Sequence, residues 1–481
     1  MELDEHVMSL SIEDIRAIAS LKNEDVDMSE EAISSEMIKI CINTLNSEHM
    51  TKEEQALGYF TRKRLKKLST WQEWKNGEKK QIDQFMMQKM FGNPIDPVGL
   101  PESAVILRPH WQYSVKRSGV RRSRMCCNGS KNAAPQLHAV ASTSSSCVEL
   151  PVQRLFLAIA ADLGLTVFGG DATDAYAHSP APSETYLAVD EAYSDWYKDK
   201  FDKEINRKHV LPVYHCLQGH PESGKMWIHF IDNIIIDQMG FKTTTHDRCI
   251  YQKVIDVEVI YLLQMVDDCI ISCKNEKTAR NIFNIIGEKM QFKSEKEQGI
   301  IPFEFLGIVN DYNGVDIKQT SHYIEMSCEN YIQRFCKSHG WELKGNLNKD
   351  QPIDQQSFMD YDSKRIVPIP SDSIEQMYKE SGPKENTTHH KILEQKMGFA
   401  YRTVLGEVMY AYITCRPDIG YAVTTLSKFS CAPSEYHYKL LKLVAKYLRT
   451  TAHWGIRFKR TKPMKLTDED YQNGIFSYHI L

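Results

Sequence analysis

Three short segments carry residues whose types and spacing can do chemistry. Phe168–Tyr176 reads FGGDATDAY and places Asp171 where a strand ends and the chain turns. Leu217–Gly224 reads LQGHPESG between a strand and a helix, and Met265–Asp268 reads MVDD, two adjacent carboxylates at the tip of an apolar hairpin. Each alone has an ordinary explanation. Asp-Asp at a hairpin tip is common turn chemistry, and the glycines of LQGHPESG suit a strand-to-helix turn without phosphate-loop spacing. Together they fit one chemistry: two divalent ions roughly 3.5 to 4 Å apart activate a 3′-hydroxyl and stabilise a leaving pyrophosphate, provided that carboxylates converge on them from adjacent strands. Asp171, Asp267 and Asp268 can supply those carboxylates. An oxygen-only site without His or Cys suits magnesium, which takes a few carboxylates plus substrate phosphates.

The pattern around these segments predicts the elements that would position them. Between Val152 and Tyr312 short strands alternate with helices. Leu165–Gly169 and Val210–Cys216 read as strands, Glu222–Met239 as a helix, Val259–Met265 with Cys269–Cys273 as a hairpin, and Lys274–Met290 as a helix. The chain has 481 residues, 42% hydrophobic and 25% charged. That is ordinary usage for a folded protein, and at about 150 residues per domain it allows roughly three packing units. The longest apolar stretches, Leu155–Ala161 and Val257–Val266, fall short of the roughly 20 residues of a membrane span, so no membrane insertion is expected. Glu2, Asp4 and Glu5 stand where a secretory signal needs basic and apolar residues, so secretion is not expected either. The 12 cysteines show no CxxC pair or matched spacing and read as reduced, mostly buried thiols.

The net charge of -4 conceals an acidic start, because residues 1–50 hold 12 acidic and 3 basic side chains. That stretch reads as a separate helical segment with Ser11 and Asp14 as a capping box, and no role emerges for it. Arg62, Lys63, Arg64, Lys66 and Lys67 form a basic helix beside Trp71 and Trp74, either a solvated face on a packing surface or a nucleic-acid contact. From Arg108 to Lys131 there are seven basic residues and no acidic one, with Trp111 and Tyr113 interleaved. Basic side chains neutralise phosphates and aromatic faces accept bases, so this is the best polyanion-binding candidate by composition, with plain solvation as the open alternative. Residues 344–390, with Pro352, Pro368, Pro370 and Pro383, read as a polar linker, and residues 391–450 as helical, with Ser434 as an N-cap.

The order and spacing of these motifs resemble the reverse transcriptase of copia-type long-terminal-repeat retrotransposons. RRSRMCCNG at Arg121–Gly129 is similar to that family's basic fingers segment, DATDAY to its first catalytic motif, and LQGHPESGKMW at Leu217–Trp227 to its nucleotide-binding turn. MVDD resembles the YVDD box, and FLG at Phe305–Gly307 the primer grip. TCRPDIGYAV, Thr414–Val423, and KYLRTT, Lys446–Thr451, resemble the segment between thumb and RNase H domain. The resemblance covers roughly residues 58–460. It implies an α+β, right-hand polymerase fold of fingers, palm and thumb followed by a mostly helical connection region. The expected divisions are an acidic helical segment of unknown role at 1–57, fingers and palm at 58–310, thumb at 311–343, linker at 344–390, connection at 391–460, and the start of an RNase H domain at 461–481.

The resemblance further implies an RNA-directed DNA polymerase that transfers nucleotides from dNTPs onto a primer 3′-hydroxyl. Asp171, Asp267 and Asp268 would bind two Mg2+ or Mn2+ ions, Arg122 and Arg124 would meet the incoming triphosphate, and Tyr176 would reject a ribose 2′-hydroxyl. Gln218 and Gly219 would line the nucleotide pocket, and Phe305, Leu306 and Gly307 would grip the primer. Implied partners are an RNA template, a DNA primer and the other Pol domains of a parent polyprotein, in a cytoplasmic virus-like particle or in the nucleus. Met265 departs from the usual Tyr or Phe before VDD. In KLTDEDY, Asp468 falls near the first RNase H catalytic position, but only 13 residues follow it, so no RNase H activity is expected of this chain. Two other classes compete. One is a catalytically idle relic or co-opted nucleic-acid-binding protein that keeps the palm without turnover. The other is a palm-domain nucleotide cyclase, whose GGDEF-like signature FGGDATD mimics, but which leaves the basic fingers and the helical C-terminal region unexplained.

Overall fold

A computed structural model describes residues 49–57, 60–102, 104–116, 119–140, 148–245, 247–312, 314–341, 367–385 and 387–461. The Ser11/Asp14 capping box, Arg117, most of the 344–390 linker and the KLTDEDY tail lie outside the described residues. The chain divides into two compact units, one holding the described residues up to 156 together with 165–309, the other 157–164 with 310–461.

In the first unit the strands are β1 (Val105–Leu107), β2 (Pro109–Val115), β3 (Arg121–Cys127), β4 (Thr166–Ala172), β5 (Pro180–Ala188), β6 (Val210–His215), β7 (Lys242–Thr243), β8 (Ile250–Ile255), β9 (Glu258–Met265), β10 (Asp268–Cys273) and β11 (Phe303–Ile308). Six of them form an antiparallel sheet in the order β11-β4-β10-β9-β8-β7; β1-β5-β6 form a second sheet, and β2-β3 a separate hairpin. The large sheet is apolar because helices cover it. The helix Glu276–Met290 starts at Asn275, whose side chain accepts the Thr278 N–H at 2.9 Å, and buries Ala279, Ile282, Phe283, Ile286 and Met290 at three- and four-residue spacing. Gly170 of β4 is required by that packing: a Cβ there would lie 2.5 Å from the Phe303 ring and 3.1 Å from Phe283. The predicted helix 222–239 is present as an α-helix, Ser223–Asp232, that continues as a π-helical turn, Asn233–Gln238. It sends Trp227, Ile231, Ile234 and Ile235 into the same core.

The basic run at 62–67 forms a helical turn of only four residues, Arg62–Leu65, and works inward. Arg62 pairs with Glu78 at 3.0 Å, Glu191 at 2.8 Å and Asp195 at 2.7 Å, and Lys66 reaches Glu191 at 2.6 Å. Trp74 is fully buried, its indole N–H donating to Glu54 at 3.0 Å. Of the two open readings of this segment, Arg62 follows the packing one.

The second unit holds β12 (Asp311–Tyr312), β13 (Val315–Gln319), β14 (Tyr323–Ser327) and β15 (Gly455–Lys459), paired in that order. Residues expected in a thumb and in a helical connection therefore contribute strands to one sheet. Helices Tyr401–Thr414, Gly420–Ser427 and Glu435–Thr450 pack on one another, the last capped by Ser434 as its sequence predicts. TCRPDIGYAV and KYLRTT meet at Arg416, which is 1% exposed. Its guanidinium donates to Asp418 at 2.9 and 2.7 Å and to the Thr451 carbonyl and hydroxyl at 2.9 and 2.6 Å. A buried charge persists only when paired and hydrogen-bonded in this way. Among the described residues every cysteine is free and all but Cys431 are buried, and no helix is long and apolar enough to cross a membrane.

Candidate active site

β4 and β10, neighbouring strands inside the large sheet, bring the predicted carboxylates together at one end of the pair. Asp171 pairs directly with Asp268, and Asp267 sits in the two-residue turn closed by the Met265–Asp268 pair. The Ala172 N–H donates to the Asp267 carbonyl at 2.9 Å, which ties the turn to the strand carrying Asp171. Residues directly opposite on antiparallel strands share a face. Glu304 of β11 is the partner of Asp171 on its other side, so three acidic positions occupy one rung.

The electrostatics follow from that crowding. Burial pushes the Asp171 carboxyl above its ordinary range, the negative charges of Asp267 and Glu304 push it further, and Arg122 and Arg124 pull against them. Asp174 is pushed up mainly by burial, with Arg124 and Arg122 opposing. The Cys269 thiol is raised by full burial and then by Asp268, Asp267 and Asp171, which places all three carboxylates around one strand end. Among the described residues no group of three or more His, Cys, Asp or Glu side chains is arranged to hold a metal ion by itself. The donor chemistry nevertheless fits an open oxygen site: adjacent carboxylates repel each other, and a hard cation that retains waters and substrate phosphates supplies the missing charge.

Strand alternation sorts the basic segment. On β3, Arg122 and Arg124 share a face and Arg121 belongs to the other. Arg122 and Arg124 act on Asp171, Asp174 and, for Arg122, Asp267, while burial and the like charge of Arg124 lower the Arg122 guanidinium. Arg121 is committed elsewhere, to the fully buried Glu54 at 3.0 Å and to Glu73 at 3.2 Å. The interleaved aromatics are also taken: the Trp111 indole donates to Asp190 at 2.7 Å, the Tyr113 hydroxyl to Glu78 at 2.5 Å, and the two rings stack at 6.2 Å. Their role as base-stacking platforms, expected from composition, gives way to core packing.

The β2–β3 hairpin and the LQGHPESG turn are joined through backbone. The Cys127 N–H donates to the Gln218 carbonyl at 2.8 Å, and Gly219 follows with φ +97. A Cβ on Gly219 would lie 2.1 Å from the Cys127 carbonyl oxygen, and one on Gly129 would lie 2.4 Å from the Gly219 oxygen. Glycine is required at 219 by both conformation and approach. The buried His220 accepts the Glu222 N–H at 3.2 Å, its imidazole pulled down to about 4 by burial and then by His138. The Ser223 hydroxyl donates to the Leu217 carbonyl at 2.7 Å and so begins the next helix.

Tyr176 lies in the short 3-10 turn Ala175–His178 and lines a cleft with Trp227 and Val266. Phe305 packs on the core with the Arg280 guanidinium 4.2 Å above its ring, Leu306 is 56% exposed, and Gly307 has φ +81 at an irregularity in the β11–β4 pairing. Three residues assigned no role from sequence belong here as well. Asp174, three after Asp171 in a left-handed conformation at φ 49, was within DATDAY; Trp227 closed the LQGHPESGKMW motif; Glu304 precedes FLG, and only strand pairing reveals it.

The family profile described as reverse transcriptase (RNA-dependent DNA polymerase) matches residues 94–355, more than half of the chain. The chain is 22% identical over 326 residues to the retrovirus-related Pol polyprotein from transposon RE1 of Arabidopsis thaliana, covering 68% of this chain and 19% of that protein. It is 24% identical over 394 residues to the corresponding polyprotein from transposon TNT 1-94 of Nicotiana tabacum, covering 79% and 26%. It thus spans about a fifth to a quarter of the length of these relatives. A telomerase from Candida albicans, solved in complex with a fragment of telomeric RNA, overlays with TM-score 0.27 and 10% identity over 79% of this chain and 65% of that one, too distant to bear on the fold. With its profile match spanning the DATDAY, LQGHPESG and MVDD segments, the chain belongs to the reverse transcriptase (RNA-dependent DNA polymerase) family, in its copia-type retrotransposon branch.

Proposed function

We propose that this chain is an RNA-directed DNA polymerase that extends a DNA primer on an RNA template. The observation that carries the reading is the rung on which Asp171 meets Asp268, with Asp267 in the adjoining turn and the charges of Arg122 and Arg124 acting on Asp171. Asp171, Asp267 and Asp268 would hold Mg2+ or Mn2+. When bound, such ions polarise the primer hydroxyl and offset the charge that develops on the transferred phosphoryl group.

The remaining steps belong to the chain's own side chains. Arg122 and Arg124, whose charges already act on Asp171 and Asp174, neutralise the triphosphate and orient it. The backbone of Gln218 and Gly219, fixed by Cys127, forms a wall of the nucleotide pocket. Tyr176 excludes a 2′-hydroxyl by steric conflict, the group that distinguishes a ribonucleotide. Phe305, Leu306 and Gly307 seat the primer strand. The test is extension of oligo(dT) on poly(rA) by purified full chain with dTTP and magnesium or manganese. Metal-dependent product that disappears with EDTA supports the reading. Template-primer binding without any extension under either metal would replace it with the idle or co-opted nucleic-acid-binding protein.

A further inference from the structure

The MVDD turn is held in a conformation that its own sequence disfavours. Val266, the first residue of the two-residue turn, has φ +57. The left-handed region suits glycine and is a genuine outlier for a β-branched residue. Such a conformation persists only where the surroundings over-determine it. Two carbonyls of the turn are gripped from outside. The Asp267 carbonyl accepts the Ala172 N–H at 2.9 Å, and the Val266 carbonyl accepts the Trp227 indole N–H at 2.6 Å.

Trp227 is well placed to hold its end. Its side chain is 1% exposed, on a helix whose first turn is anchored by the Ser223 hydroxyl bonded to the Leu217 carbonyl. Gln264 adds a weaker donor to the same Val266 carbonyl at 3.4 Å, and its Oε1 lies 2.8 Å from the Tyr251 hydroxyl, itself 2.6 Å from Asp232. Tyr176 and Val266 line one cleft with Trp227, so the position of the turn also shapes the floor beside Tyr176.

We infer that Trp227 is a positioning residue for nucleotidyl transfer: its indole N–H pins the Val266 carbonyl, keeps the turn left-handed, and thereby sets Asp267 and Asp268 against Asp171. The inference rests on the polymerase reading for its consequence, but the hold on the turn is a property of the folded chain. It also couples the nucleotide-binding turn to the catalytic turn through one helix, so a shift of LQGHPESG is felt at the carboxylates.

The experiment compares wild type, Trp227→Phe, Val266→Gly and the double variant as full chains. Three quantities are read: hydrogen exchange at the Ala172 amide and across residues 264–270, single-nucleotide kcat and KM for dTTP, and the thermal melt. Trp227→Phe keeps a buried ring and removes the donor. It should speed exchange at the turn by about tenfold, the worth of one net hydrogen bond. It should lower kcat by about 10- to 100-fold, as small misplacements of reacting groups do, with little change in KM. Glycine adopts a left-handed φ without strain, so Val266→Gly added to Trp227→Phe should restore protection at the turn and recover part of kcat relative to Trp227→Phe alone. On the wild type itself the Trp227 indole proton should exchange slowly. Unchanged turn exchange in Trp227→Phe, uniform loss of protection with no recovery by glycine, or a fast-exchanging indole proton in the wild type would each overturn the inference. Coupled exchange at the turn in a wild type that incorporates no nucleotide supports the hold and sinks the polymerase reading instead.

Discussion

Replacing Gly219 with alanine should separate the β2–β3 hairpin from the LQGHPESG turn, and the cost can be set against a matched control. Gly219 and Gly307 both have positive φ, +97 and +81, so alanine at either position pays a conformational penalty of about 1–2 kcal/mol. Only Gly219 pays more. Its new Cβ would sit 2.1 Å from the Cys127 carbonyl oxygen, whereas nothing lies within 4 Å of a Cβ at Gly307. Backbone must move to relieve that overlap, at about 1–3 kcal/mol for overpacking. The adjacent Cys127 N–H to Gln218 bond, 2.8 Å long, is then lost at about 1 kcal/mol net. The extra cost is about 2–4 kcal/mol, which at about 2–4 °C per kcal/mol puts the Gly219→Ala melt roughly 5–15 °C below that of Gly307→Ala. Differential scanning calorimetry of both variants measures it, with hydrogen exchange at the Cys127 amide as the local reporter. Equal melting of the two variants, or an undisturbed Cys127 amide in Gly219→Ala, would refute the claim that backbone approach at Gly219 joins the hairpin to the turn.

His178 is 3% exposed, stacks on Phe292 at 4.8 Å, and has its pKa pulled by burial from 6.5 to about 4. The unfolded chain takes up a proton near 6.5 that the folded chain refuses until about 4, so stability falls as pH drops through that window, by about 3 kcal/mol from this group. His178→Leu should remove that share of the acid sensitivity, read as a narrowing gap to wild type in urea denaturation between pH 7 and 4; a constant gap would contradict it. Tyr176→Val should raise kcat/KM for ribonucleotides far more than it lowers that for dNTPs, whereas parallel loss with a lower melting temperature would make the tyrosine a packing residue. Arg121→Gln leaves Glu54 buried without its cation and should cost about 3 kcal/mol of stability, while Arg122→Gln should leave the melt nearly unchanged and raise KM for dNTPs. Reversed behaviour of the two arginine variants would overturn the division of β3 into a structural and a substrate face.

Elements set by neighbouring residues are legible in this sequence, and those set by distant pairings are not. The strands at β4, β6, β9 and β10, the helix ending at Met290 and the Ser434 cap follow from periodicity and capping chemistry within a few residues. The acidic rung was only partly visible, because Asp171 and Asp267 sit in recognisable motifs but Glu304 joins them through a strand pairing more than a hundred residues away. The basic segment misled for the same reason. Counting cations and aromatics from Arg108 to Lys131 cannot show that Glu54, Glu78 and Asp190 lie in wait for Arg121, Tyr113 and Trp111. Strand alternation was the available signal, since it separates Arg121 from Arg122 and Arg124. The pairing of β14 with β15 spans well over a hundred residues and leaves no local trace, so the Gly455–Lys459 strand did not stand out.

In the proposed polymerase, Asp171 belongs to a metal-binding carboxylate rung in which charge serves function at the expense of stability. Asp171→Asn in the full chain tests it most directly, with single-nucleotide incorporation on poly(rA)/oligo(dT) in magnesium measured beside a metal-free thermal melt. Burial, Asp267 and Glu304 all disfavour the charged form of Asp171, so a neutral amide of the same shape should hold or raise the metal-free melting temperature. The same change should abolish incorporation by orders of magnitude, because a metal ligand and its electrostatic stabilisation are lost. Incorporation that survives Asp171→Asn, or that falls only together with a lowered melting temperature, would contradict the account.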